Sequence, residues 1–219
     1  SLRELKKAQI SAYLTNIDKQ LLSFAGNLSV RDAAEAFNNS FNQTQPSNAE
    51  LESSTKAVRD YYQNQFNQAF IEKNKRPADK LNQYFNQLSP LANHYQDKYI
   101  ASNHFALGSK DKLHSAGNSP YDQIHSKYHG MFRDYLTRFG FYDIFIVDAN
   151  NGHIVYSVFK ELDYATSLIS GPYANSGIAQ AYTKAKNLTA GQSVLVDFAS
   201  YFPSYNQAAS FIATPIIND

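Results

Sequence analysis

Polar side chains interrupt the β-prone stretches in the last third of this 219-residue sequence, where apolar ones would be expected. Tyr156 stands inside one such stretch, Lys160 closes it, and Asp163 follows three residues later. Asp197 comes directly after Val194-Leu195-Val196, with Tyr201 close behind, and Arg133 precedes the whole region beside Tyr128 and His129. Tyr rings, a cation and one or two carboxylates suit a pocket for a small polar or zwitterionic ligand. The rings supply apolar walls and the charges fix orientation. The same residues also admit a plainer arrangement: Lys160 and Asp163 as a surface pair worth under about 1 kcal/mol, and Asp197 as a turn cap.

Other chemistry finds little support. His125 and His129 are spaced i, i+4 and share a helix face, but no third metal ligand is evident and the Glu of the metalloprotease motif is missing, so a satisfied or solvent-facing pair is expected. Asp148-x-Asn150-x-Gly152 resembles the start of a calcium loop, yet Gly152 occupies a ligand position and Phe159 stands where the closing Glu belongs. No phosphate-binding Gly-rich loop and no Gly-x-Ser-x-Gly elbow occurs. The chain contains no Cys, which removes thiolate metal sites, disulfides and Cys nucleophiles. Twenty basic against nineteen acidic residues leave a formal charge of +1, without the basic footprint of a nucleic-acid binder. The expectation is therefore no catalytic residue, no metal, no cofactor and no nucleic acid.

These side chains must be positioned by two segments of different periodicity. Residues 1 to about 139 read as helical. Ile10, Leu14, Ile17, Leu21, Phe24 and Leu28 form a heptad-like stripe, expected either against a partner helix or within a monomeric bundle. Ser29 and Asp32 could cap a second helix, Ser47-x-x-Glu50 forms a capping box, and Pro77 sits where a first-turn proline belongs. Ser89-Pro90 marks another helix start. Residues 103 to 120 read as a long loop, followed by a strong helix that Gly140 stops. Periodicity then changes. Tyr142 to Val147 and Ile154 to Phe159 flank an Asn-Gly turn, a β-hairpin signal. A helix over about 176 to 186 and strands at Ser193 to Phe198 and Ser210 to Ile217 follow. The fold class is α+β, with long N-terminal helices leading into a small, mostly antiparallel sheet.

At this point a resemblance enters. Tyr128-His129, Arg133, the run Phe141 to Asp148, Gly152 to Tyr164, Gly171-Pro172-Tyr173, Ser176-Gly177, Val196-Asp197-Phe198, Tyr201, Pro203-Ser204 and Phe211 to Ile216 are similar to the Cache region, a PAS-like extracytoplasmic sensor. Such regions occur in methyl-accepting chemotaxis proteins and related bacterial transmembrane receptors. The resemblance implies a helical part at 1–120 and a Cache domain at 121–219 that is truncated at its C-terminus, with a further strand and transmembrane helices outside this chain. It implies a periplasmic ligand-sensing region of an inner-membrane protein, a homodimer through the first helix in the full receptor, and a small ligand such as an amino acid, organic acid or amine. Tyr142, Tyr156, Lys160, Asp163, Asp197, Tyr201 and Arg133 are the residues expected to line the site. The sensor region of a membrane-bound cyclase or histidine kinase is the nearest alternative; a hydrolase-type enzyme or a structural module is the more distant one.

Overall fold

A computed structural model describes residues 1–218. Helices dominate the first two thirds: α1 (Leu2–Ala25), α2 (Leu28–Asn42), α3 (Asn48–Asp60), α4 (Asn67–Asn74), α5 (Leu81–Asn86), α6 (Pro90–Gln96) and α7 (Pro120–Phe139). A π-helical stretch over Tyr61–Phe66 joins α3 to α4 without a break. Local chemistry explains several boundaries. The Ser47 hydroxyl accepts from the Glu50 N–H while the Glu50 carboxylate accepts from the Ser47 N–H, closing the capping box at the start of α3. Ser119 and Asp122 do the same for α7, with Pro120 at the first helical position. Gly140 ends α7 at φ 69°, where a side chain would be strained.

The β part consists of two separate antiparallel hairpins, β1 (Phe145–Val147) with β2 (Ile154–Ser157) and β3 (Val194–Tyr201) with β4 (Gln207–Ala213), with α8 (Gly177–Ala185) between them in sequence. The α+β class is as expected; the single small sheet is not, because β1 and β4 do not pair. Among the described residues each keeps one edge unpaired, and residues from both edges line a common cleft.

Other local expectations shift. The stripe on α1 is buried only toward its end: Phe24 is covered, whereas Ile10 is 61 % exposed. Leu28 does not continue the stripe. The chain leaves α1 at Gly26, and the Asn27 side chain accepts from the Ser29 N–H to start α2, so Asn27, not Ser29, is the cap. Pro77 lies in a connection, because Lys75 in the left-handed region ends α4 and α5 begins only at Leu81. The last strand runs over Gln207–Ala213 rather than to Ile217.

An aromatic core spans both segments. Phe37 of α2 is fully buried, and its ring lies 5.5 Å from Tyr121 of α7 and 4.6 Å from Tyr156 of β2, centroid to centroid. Gln96 of α6 adds polar stitching: its side-chain amide donates to the carbonyls of Leu162 and Tyr164 and accepts from the Tyr62 hydroxyl. No helix among the described residues is long and apolar enough to cross a membrane.

The turn after β2 depends on close backbone approach at Gly171. A Cβ there would meet the Ser167 carbonyl oxygen at 2.5 Å. Gly171→Ala is expected to cost about 1–3 kcal/mol by overpacking against backbone. Chemical denaturation is the check, and an unchanged midpoint would contradict the close approach.

Candidate functional site

The sequence-selected residues separate into a buried group, a second group that is buried except for the exposed Tyr142, and two outlying positions. Behind the first hairpin, the i, i+4 spacing on α7 stacks the His125 and His129 rings 4.4 Å apart, centroid to centroid. His129 Nε2 donates to the Asp111 carbonyl and Nδ1 accepts from the Tyr156 hydroxyl, both at 2.6 Å. That pairing requires a neutral ring, and burial pushes His129 down to about 3. The His pair is packed inside, and among the described residues no cluster of His, Asp and Glu is arranged to hold a metal.

Lys160 belongs to the same group. Its backbone has φ 57°, in the left-handed region that a side chain adopts at a cost. Its ammonium donates to the Ser157 carbonyl and lies 4.3 Å from the Tyr156 ring centroid and 5.0 Å from that of Tyr164. Burial lowers it to about 7, against the opposing pull of Asp143 and Asp111. Lys160 is therefore a core cation held by tyrosine faces and its own strand, not a group lining the cleft.

The second group closes one end of that cleft, a volume of about 1040 Å³ between α1, α2, β1, α8 and the second hairpin. Tyr142, Asp143, Glu161, Tyr201 and Ser204 line this end. Glu161 accepts from the Tyr142 hydroxyl at 2.8 Å and from the Ser204 hydroxyl at 3.1 Å. Tyr201 donates at 2.6 Å to Oδ2 of Asp163, which is fully buried just behind. Asp143 Oδ1 accepts from the backbone N–H groups of Ile144, Val158 and Phe159. Around this group Asp143 Oδ2, Asp163 Oδ1 and the Tyr173 hydroxyl are buried without a hydrogen-bond partner, as are other polar atoms elsewhere in the fold such as His125 Nε2. Such orphans are expensive and call for an explanation.

Electrostatics follow from that crowding. Burial raises the Glu161 carboxyl to about 7, and the neighbouring Asp163 adds to the effect. Burial likewise raises Asp163 to about 6, with the Tyr201 hydrogen bond opposing. Asp143 is pushed up by burial, then by the charges of Asp163 and Glu161.

Arg133 and Asp197 lie outside both groups. Arg133 is bound outward to Asp111, with Nη2 at 3.0 Å from its carboxylate. Asp197 sits in a bulge between the paired residues Val196 and Ala199, exposed, and its carboxylate accepts from the Phe198 N–H at 2.7 Å. The bulge adds residues that reverse the in–out alternation and turn Asp197 away from the cleft. Asp197→Ala is accordingly expected to change folding stability by no more than about 0.5 kcal/mol, measured by urea denaturation; a larger loss would place it in the structural core.

Comparison with family models, curated proteins and solved structures finds no match for this chain. Asp143, Glu161, Tyr173 and Ser204 were not among the sequence-selected residues. Asp143 and Glu161 flank the first hairpin, one before β1 and one after β2. Carboxylates placed symmetrically around a predicted hairpin are a signal that both face one end of it.

Proposed function

We propose that this chain is the ligand-sensing part of an extracytoplasmic bacterial receptor, of the chemoreceptor kind, which binds a small polar molecule at the carboxylate-lined end of the cleft. The observation carrying the reading is the buried, unpartnered carboxylate oxygen of Asp143, a residue that lines the cleft, with unpartnered atoms of Asp163 and Tyr173 buried behind the lining residue Tyr201. Folding strands such atoms only at a cost, and a ligand that satisfies them recovers it. The unpaired edges of β1 and β4 bordering the same cleft support a PAS-like sheet whose gap a further strand fills. The polar end then remains as the ligand site at one end of that gap.

Signalling needs a ligand that favours one arrangement over another. Segments 168–176 and 198–206 carry Tyr173, Tyr201 and Ser204 and are the candidate cover. The Ser193 hydroxyl at the start of β3 bonds to the Asp18 carboxylate on α1, a direct tie between the second hairpin and the first helix. Closure of the cover would act on α1 through that tie, and in the full receptor on the partner's α1.

A thermal-shift screen against amino acids, organic acids and amines tests the reading. A bound ligand at a hundred times its Kd stabilises by about 2.7 kcal/mol, a readily measured rise in melting temperature. Turnover of a hit that disappears on replacing one acid or base would instead point to an enzyme, and a featureless screen to a structural module.

A further inference from the structure

We infer that the polar end of the cleft binds a primary ammonium group, so that the receptor's ligand is an amine rather than an organic acid. This rests on the ligand-binding reading above and narrows it. The available acceptors decide the sign. Asp143 and Glu161 bring two carboxylates to one end of the cleft, with Asp163 buried behind Tyr201, and the hydrogen bonds these acids receive come from hydroxyls and backbone N–H groups. Oδ1 of Asp163 and Oδ2 of Asp143 are buried acceptors with nothing donated to them. A –NH₃⁺ offers three donors and no acceptor, which is the complement of this set. A carboxylate ligand would add a further negative charge to a group already crowded with its own.

The neighbouring lysines do not reverse that balance. Lys160 acts on Asp143, but its ammonium is committed to the Ser157 carbonyl and the Tyr156 face. Lys73 acts on Glu161 while lying 4.3 Å from the Tyr205 ring centroid. Tyr201, whose hydroxyl holds Asp163, lines the cleft beside the acids and gives that end an aromatic wall. The acids are not arranged to share a metal ion, which favours an organic cation whose apolar tail extends along the cleft.

Isothermal titration of the folded chain near neutral-to-basic pH with propylamine, 1,4-diaminobutane, sodium succinate and calcium chloride tests this. Saturable binding of the two amines, weakened at least tenfold in Asp163→Asn and in Glu161→Gln, is the expected result. Circular dichroism establishes that each variant is folded, and Glu161→Gln decides if Asp163→Asn is not. Binding of succinate without the amines would overturn the ammonium assignment and leave the receptor reading standing. Calcium binding in place of amines would also overturn it, in favour of an inorganic cation. Amine binding that survives both substitutions would move the site elsewhere. No binding by any probe would count against both the ammonium site and the ligand-binding reading.

Discussion

Asp163→Asn is expected to stabilise the ligand-free protein while weakening the amine binding proposed for it. Asp163 is fully buried, one of its oxygens has no partner, and burial raises its carboxyl from 3.8 to about 6. A carboxyl whose folded value is raised contributes stability that is fully present below its unfolded value and is lost as pH rises through about 6. At about pH 8 the parent therefore holds a buried, poorly satisfied anion that the amide variant lacks, a difference on the order of 1–3 kcal/mol. Asparagine keeps the acceptor for the Tyr201 hydroxyl. Lys160 titrates in the opposite sense, since its depressed value means stability lost as pH falls through about 7, and it does so in parent and variant alike. Asp143, Glu161, Tyr173 and Tyr201 face Asp163, and loss of its charge also relieves Asp143 and Glu161, which adds to the variant's advantage at the higher pH. Urea denaturation at about pH 8 should give the variant the higher midpoint, with the gap narrowing as pH falls below about 6 and closing only below the unfolded value of 3.8. A variant less stable than the parent at the higher pH would mean that Asp163 is held by partners stronger than the Tyr201 hydroxyl. Stability traded for a binding site is the usual signature of a functional cluster.

How far this cluster was legible in the sequence depends on what each residue's position rests on. Tyr156, Asp163 and Tyr201 stood out because a polar group in a β-prone stretch is a local irregularity, and the structure buries all three. Lys160 stood out for the same reason, yet its ammonium packs among tyrosines behind the hairpin. Local pattern marks a residue as unusual without saying which face of the hairpin receives it. Asp197 was misplaced by the bulge in β3, which alternation alone cannot reveal. Asp143 and Glu161 carry no such mark, because each lies just outside its strand, where a carboxylate is ordinary. Only the hairpin's closure brings the two to the same end of the cleft. Capping boxes and the Gly140 stop were legible because their hydrogen bonds span three or four residues. The separation of the hairpins, which depends on β1 and β4 across more than fifty intervening residues, was not.

Phe37→Ala carries the largest expected loss of stability, and it tests whether the helical segment and the candidate site form one cooperative unit. Phe37 is fully buried in α2, with its ring within 6.5 Å, centroid to centroid, of Tyr121, His125, Tyr128, Phe132 and Tyr156. All but Tyr156 of these neighbours lie on α7, so one side chain from the helical segment supports the elements that carry the Tyr156–His129 pair and, beyond it, Lys160. Truncating a buried Phe costs about 3–5 kcal/mol, the lost transfer energy plus that of the cavity left behind. The tyrosines around the hole are stitched by hydrogen bonds, Tyr121 to the Val155 carbonyl and Tyr156 to His129, so they are poorly placed to collapse into it. The full cost is therefore expected, in a single transition. Hydrogen exchange should show the amides of α2, α7 and the first hairpin losing protection together. If the first hairpin and α7 instead keep the parent's protection while α2 opens, the helical segment is a separable support, and the site does not depend on it.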